Sequence, residues 1–415
     1  MPQPSTIGYK SLYGTVPQRG IAAMASWSSP LPKIIALVLI AALLLFALSR
    51  IAGCVSGAIS GIAGPAQVST ETVFEATDFN LTPASFDLMP EMSTSDGIVS
   101  FSLSDLSAPE VPAFDELRIV SRIIGIENDR EARAGFVFVD TETGRGIAYN
   151  AEDKIYGAST FKAPYATYVC ETHVEDGDVT LSTPCRLSTS VDRGSYYKAG
   201  RSYAVQDLID AAVTWSDNNA FGGLRTNFDM RGFDDWAGSL GANDVKYDDS
   251  SWFPTYCPRT SAKLWSEVNN YVSSGTETAA WLGELLGDTE VSFIRNGITG
   301  ETKETTASGL VEVEGDGEES GESSSDAEGA SSQAGVEGDI TFMNKAGWSP
   351  DEDPAYRSVS DAGLVTLDGR TYLLCIMTDM RDSEASRRYF EDLARTIFDA
   401  REALDYQWVE QAQEA

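Results

Sequence analysis

Three stretches decide how this chain folds: Gly135-Phe136-Val137-Phe138-Val139-Asp140-Thr141-Glu142-Thr143-Gly144, then Ile147-Ala148-Tyr149, then Ser159-Thr160-Phe161-Lys162. The first begins as a short apolar, β-branched run and ends in a turn. The second resumes as a strand, so the two make a hairpin. Ala163 to Glu171 reads as a helix. If that helix begins at Ser159, Lys162 lies one turn later on the same face.

Working outward, Phe114, Leu117, Val120, Ile123 and Ile124 recur at helical spacing and mark where the globular pattern begins. Val205 to Trp215 reads as a second helix of the middle region. Strands follow at 340–343, 363–367 and 372–378, and 384–404 reads as a closing helix. Strands at both ends around a helical middle imply an α/β (α+β) fold whose first and last elements share one sheet. Residues 56–113 read as a flexible linker, with one short strand near 98–103. Residues 299–339 are dominated by Glu, Ser, Gly and Asp. Such a tract cannot bury enough apolar surface to offset its ordering entropy, and it reads as a disordered insertion in a domain spanning 114–405. Residues 406–415 form a tail.

The chain has 415 residues, with 30 basic and 63 acidic side chains and a formal net charge of −33. Phosphate contacts need clustered Lys and Arg, so nucleic acid is excluded as a partner. The five cysteines show no CxxC spacing and His173 is the only histidine, which argues against a zinc site and leaves no metal or cofactor expected. It also disfavours a Ser-His-Asp triad, so a nucleophile here needs another base. Cys170 and Cys185 either pair in an oxidising compartment or remain small buried thiols.

Residues 1–33 carry Lys10, Arg19 and Lys33 and no acid, and an apolar run follows at 34–48. That asymmetry places residues 1–33 in the cytoplasm and the domain outside. The run extends to residue 55 as a single-pass anchor in the cytoplasmic membrane if Arg50 snorkels to the interface. A secretory signal and a lipoprotein attached through Cys54 are the competing readings.

Ser159-Thr160-Phe161-Lys162 offers a hydroxyl and an amine that can take its proton, provided burial and nearby positive charge lower the amine's pKa. Ser216-Asp217-Asn218, after the helix at 205–215, offers a second hydroxyl as proton relay and an amide that can hold a substrate carbonyl. Asp217 reads as a brace for the loop. Lys345-Ala346-Gly347, at the end of the strand 340–343, offers a cation for a substrate carboxylate and a glycine that lets the strand approach a ligand. Each triplet alone is weak: SxxK is common by chance, and Ser-Asp-Asn is usually a polar turn.

Together and in this order they resemble the signature of serine β-lactamases and penicillin-binding proteins. The stretch from Phe138 to Lys162 resembles the first hairpin and nucleophile helix of class A β-lactamases. Val205 to Ala220 resembles their second signature helix and loop, and Cys257-Pro258-Arg259-Thr260-Ser261-Ala262 the start of a later helix. The likeness runs from Phe114 to Leu404, broken by the acidic tract. It implies an antiparallel sheet with a helical subdomain. Ser159 would be the acylated nucleophile and Lys162 its base, Ser216 the relay to the leaving nitrogen and Asn218 a substrate holder. Lys345, Ala346 and Gly347 would line the substrate, and the backbone N–H groups of Ser159 and Trp348 would form the oxyanion hole. The implied partner is a β-lactam or a peptidoglycan stem peptide; nothing in the sequence gives an oligomeric state.

Two departures stand out. The stretch 247–257, where the family carries a deacylating glutamate, holds Asp248 and Asp249 but no Glu. Deacylation is therefore expected to be slow unless Asp248 or Asp249 substitutes for it. Ala346 stands where the family has Thr or Ser, and the lost hydroxyl is worth about 1.5–3 kcal/mol if it bonds a charged group. Three readings follow: an acyl-enzyme of the D,D-peptidase or slow β-lactamase kind, an active β-lactamase with an unconventional deacylating group, or a cell-wall binding module. His173 reads as a helix-surface residue and Arg357 as a surface ion-pair former. Trp252 and Phe253 either line the site mouth or pack in the core.

Overall fold

The structure is a computed structural model that describes residues 79–92, 97–245, 252–300 and 338–406. The expected cytoplasmic segment 1–33, the anchor 34–55, nearly all of the acidic insertion and the tail beyond Tyr406 lie outside the described residues. Among the described residues no helix is long and apolar enough to cross a membrane.

Six strands form the central sheet: β1 (Val99–Ser102), β2 (Ala134–Asp140), β3 (Arg145–Tyr149), β4 (Ile340–Ser349), β5 (Ser358–Leu367) and β6 (Arg370–Thr378). Their order is β1-β3-β2-β6-β5-β4, antiparallel throughout. The N-terminal hairpin and the C-terminal strands thus meet at the β2–β6 pair, as the order of elements predicts. Seven helices matter here: α1 (Ala113–Asp129), α2 (Lys162–Val169), α3 (Val205–Val213), α4 (Asn218–Phe228), α5 (Pro258–Val272), α6 (Phe293–Thr299) and α7 (Glu384–Asp399).

The sheet is buried on both faces, and strand alternation sorts its side chains between two cores. Val137, Val139, Leu373 and Cys375 face a core shared with Phe161, Tyr165, Leu208, Phe221 and Trp265 of the helical subdomain. Phe136, Phe138, Leu374 and Ile376 face a second core with Ile119, Phe293, Phe390 and Ile397 of α1, α6 and α7. Each such side chain, fully buried, is worth about 1.5–3 kcal/mol.

Several sequence expectations need correction. The linker ends earlier than residue 113. Leu81, Phe86 and Met89 are buried, and β1 pairs with β3 as an edge strand. Isolated apolar residues without a period were enough to dock this stretch. In α1 the helical period holds but its phase is shifted. Ile119, Ile123 and Ile126 are buried, whereas Phe114 and Leu117 are exposed. The strand expected at 340–343 runs on to Ser349, because Asn344 to Gly347 stay in register with Gly363 to Ser360. The ladder uses backbone groups and does not require apolar side chains. The closing helix ends at Asp399 and continues as a 3-10 turn, Ala400–Asp405. His173 is buried. A π-helical segment, Cys170–Val174, holds it, with Nε2 2.9 Å from the Tyr168 hydroxyl. Burial pushes its imidazole below the ordinary pKa. Cys170 and Cys185 are buried free thiols, not a disulfide.

Candidate active site

Ser159 sits where the helical subdomain meets the free edge of β4. The approach to it is tight. A Cβ on Gly157 would lie 2.2 Å from the Tyr256 ring, whose hydroxyl is 2.7 Å from Thr160 Oγ1. Ala158 adopts φ 45°, a left-handed conformation that costs an alanine about 1–3 kcal/mol. A 3-10 turn, Ala158–Phe161, then runs directly into α2, so the sequence expectation of one continuous turn from Ser159 to Lys162 holds. Strand β4 closes on this turn. A Cβ on Gly347 would lie 2.8 Å from Ser159 N and 2.6 Å from Thr160 N, so only glycine fits. Trp348, the next residue, stands on the same strand, in register with Val359.

Lys162 is fully buried. Its Nζ donates to Ser216 O at 2.5 Å, Asn218 Oδ1 at 2.8 Å and Ser216 Oγ at 3.3 Å. Burial holds its pKa well below the lysine range, the charge of Lys345 lowers it further, and Asp217 opposes both. Because Asn218 Oδ1 accepts from Lys162, its Nδ2 is the atom left to donate to a substrate carbonyl. Ser216 is itself left-handed, at φ 57°. Asp217 braces this turn: its backbone N–H donates to Ala211 O, and its carboxylate caps α4 by accepting from Ala220 N at 2.8 Å. Among the described residues no hydrogen bond joins Ser159 Oγ to Lys162 Nζ. Catalytic hydrogen bonds often tighten only when substrate binds.

Lys345 is also buried, and its Nζ donates to the carbonyl of Ala346 at 3.1 Å. Among the described residues no hydrogen bond links it to Ser216. Burial lowers its pKa to about 8, against the pull of the buried carboxylate Asp361. Asp361 accepts from Asn344 Nδ2 at 2.8 Å and from Ile294 N at 3.0 Å. Ala346 departs from its expected place. Strand alternation turns Lys345 and Gly347 to the seam, whereas the Ala346 methyl is packed in the second core.

Sequence reading missed Asn219, Asp361 and Phe221. Asn219, directly after Asn218, accepts from Val191 N and Asp192 N and donates to Asp192 O and Tyr197 O, tying the 191–197 loop to the site. Asp361 carried no motif. Phe253 and Phe221 stack beside Lys162, and the Phe253 ring centre is 5.4 Å from Nζ. Phe253 thus packs in the core and borders the site as well, which joins the two readings the sequence offered as alternatives. Arg357 makes no ion pair among the described residues; it donates to the carbonyls of Asp351 and Glu352. Asp248 and Asp249 lie outside the described residues.

An antiparallel sheet closed on a helical subdomain, with a buried serine–lysine turn at the seam, defines a recognisable class. The model of the β-lactamase enzyme family matches residues 118–315. The β-lactamase ROB-1 of Haemophilus influenzae is 31% identical over 115 residues, 28% of this chain and 38% of that enzyme. A β-lactamase of Streptomyces fradiae is 30% identical over 110 residues, 25% of this chain and 36% of that enzyme. The chain thus spans well under half the length of these relatives in sequence. In structure, PBP-A aligns with 71% of this chain and 98% of its own, at a TM-score of 0.52 and 17% identity. A β-lactamase from Sphaerobacter thermophilus aligns with 68% and 97%, at a TM-score of 0.50 and 16% identity. In part of its sequence and in its fold the chain is similar to these β-lactamases and to PBP-A.

Proposed function

We propose that the chain is a membrane-tethered, extracytoplasmic serine hydrolase. It would form an acyl-enzyme at Ser159 with a β-lactam or a D-Ala-D-Ala-type peptide and release it slowly. One observation carries the reading. Lys162, Ser216 and Asn218 form a single hydrogen-bonded cluster, one turn from a buried Ser159 that abuts the edge of β4.

In this reading Ser159 Oγ attacks the carbonyl carbon as neutral Lys162 takes its proton. The developing oxyanion is held by the backbone N–H groups of Ser159 and Trp348, each worth about 2.7–4 kcal/mol in such sites. The C–N bond breaks, and Ser216 passes a proton to the leaving nitrogen. Lys345 holds the substrate carboxylate from the sheet side. A mutant of PBP-A has been solved as an acyl-enzyme complex with penicillin G, which supports penicillin as the probe. The lack of a glutamate at 247–257 supports slow release, and the charge asymmetry around 34–48 supports the tether.

The test is intact-mass spectrometry of the full chain in detergent after incubation with benzylpenicillin, beside Ser159→Ala. A persistent adduct on the parent protein alone is the expected result. Penicillin consumed through Ser159 with no persistent adduct would replace slow release by turnover. Neither adduct nor consumption would end the penicillin reading.

A further inference from the structure

Lys162 has two unlike sides. One faces the oxygens of Ser216 and Asn218. The other faces carbon: its Nζ lies 5.4 Å from the centre of the Phe253 ring and 5.7 Å from that of Phe221. The two rings are stacked, with centres 5.2 Å apart and planes 5° from parallel. Phe221 is fully buried and Phe253 is 6% exposed. The stack is itself held in place: Tyr156 packs edge-on against Phe253, and Phe161 and Tyr165 pack edge-on against Phe221.

We propose that the Phe221–Phe253 stack is a water-excluding wall that prolongs the life of the Ser159 acyl-enzyme. This rests on the acyl-enzyme reading above. Hydrolysis of the ester adds a water oxygen to the acyl carbon and breaks the bond to Ser159 Oγ. A base must take a proton from the water, and a proton must return to Oγ. A phenyl ring neither hydrogen-bonds such a water strongly nor accepts its proton. On the side of Ser216 and Asn218 three oxygens lie within reach of the amine's N–H groups, so on that side its polar partners come from the protein. On the other side, where the amine would meet a hydrolytic water, it faces the two rings. The same wall strips water from Lys162, which favours the neutral amine that the acylation step needs. One device therefore helps the ester form and hinders its loss. In these terms Phe253 is a positioning residue, acting through Lys162 and through water.

The experiment uses the full chain in detergent, trapped with benzylpenicillin and freed of excess drug, with adduct followed by intact mass. Phe253→Ala opens the wall, and Phe253→Gln keeps the length of the side chain while bringing a polar group into it. Both should shorten the adduct half-life about tenfold or more if water access limits release. A second readout separates this from loosened packing. With water admitted, the pH midpoint of the acylation rate should move upward, toward the ordinary lysine range. Thermal melts confirm that each variant is folded. Folded variants whose half-lives stay within about threefold of the parent, with an unmoved midpoint, overturn the wall and leave the acyl-enzyme reading intact. A parent protein that never forms the adduct overturns both.

Discussion

Lys162 directs its ammonium to three oxygens of the helical subdomain, whereas Lys345, across the seam, donates to one backbone carbonyl of its own strand. Both are buried, and burial lowers the pKa of each. The helical half of the site thus has the Lys162, Ser216 and Asn218 cluster in place in the resting protein. The sheet half keeps donors in hand, which suits an anion that arrives with the substrate. Burial serves opposite ends in the two halves. It favours the neutral amine on Lys162, where a base is needed, and it sets an upper pH limit on the cation at Lys345.

Substitutions can break this contrast. The largest effect is expected from Lys162→Met, which removes the base: the rate of acylation by benzylpenicillin, followed by mass, should fall about 10²–10⁴-fold. An unchanged rate would move the base elsewhere. Lys345→Met should be milder, because a hydrogen bond to a charged group is worth about 1.5–3 kcal/mol, or about 10–150-fold in the second-order acylation rate.

The pH dependence sharpens the contrast. Acylation needs Lys162 neutral, so its rate should rise with pH as that amine loses its proton. It also needs Lys345 charged, so it should fall as pH passes about 8. Asp361→Asn keeps the shape but removes the carboxylate charge that supports the Lys345 cation. The alkaline limb should then move below about 8, with the acid limb little changed. An alkaline limb that does not move would uncouple Asp361 from the site. The smallest effect on chemistry is expected from Ala346→Ser. Its hydroxyl would enter the second core rather than the seam, so acylation should change by less than about twofold while the melting temperature falls, since an unpaired buried hydroxyl costs about 1–3 kcal/mol. A large gain in acylation would restore the expectation drawn from sequence.

The contrast also marks where sequence reading succeeds. The helical half was legible because Ser159 and Lys162 lie in one short motif and Ser216 and Asn218 in another, although the contact between the two motifs spans 54 to 56 positions. The sheet half was only partly legible. Lys345 and Gly347 were placed correctly, but the length of β4 hides the alternation that turns Ala346 away. Phe253 lies 91 positions after Lys162, and no local pattern says that its ring stacks on Phe221 beside the amine. The docking of Leu81, Phe86 and Met89 was illegible for the same reason, since isolated apolar residues have no period to read. In α1 the period was legible but not its phase, because apolar residues occupy more of the helix than the core covers.

The pairing of β2 with β6 joins segments 230 residues apart, as the bond from Thr141 Oγ1 to Thr371 O shows. Contacts of such long range slow folding, since the loop between them must close before they stabilise anything. They also set an order in time. On a chain still being synthesised, the hairpin that leads to Ser159 exists long before the strands that complete its sheet. Until residues 340–349 are made there is no β4 edge, no Lys345 beside Lys162, and so no assembled site that could react too early.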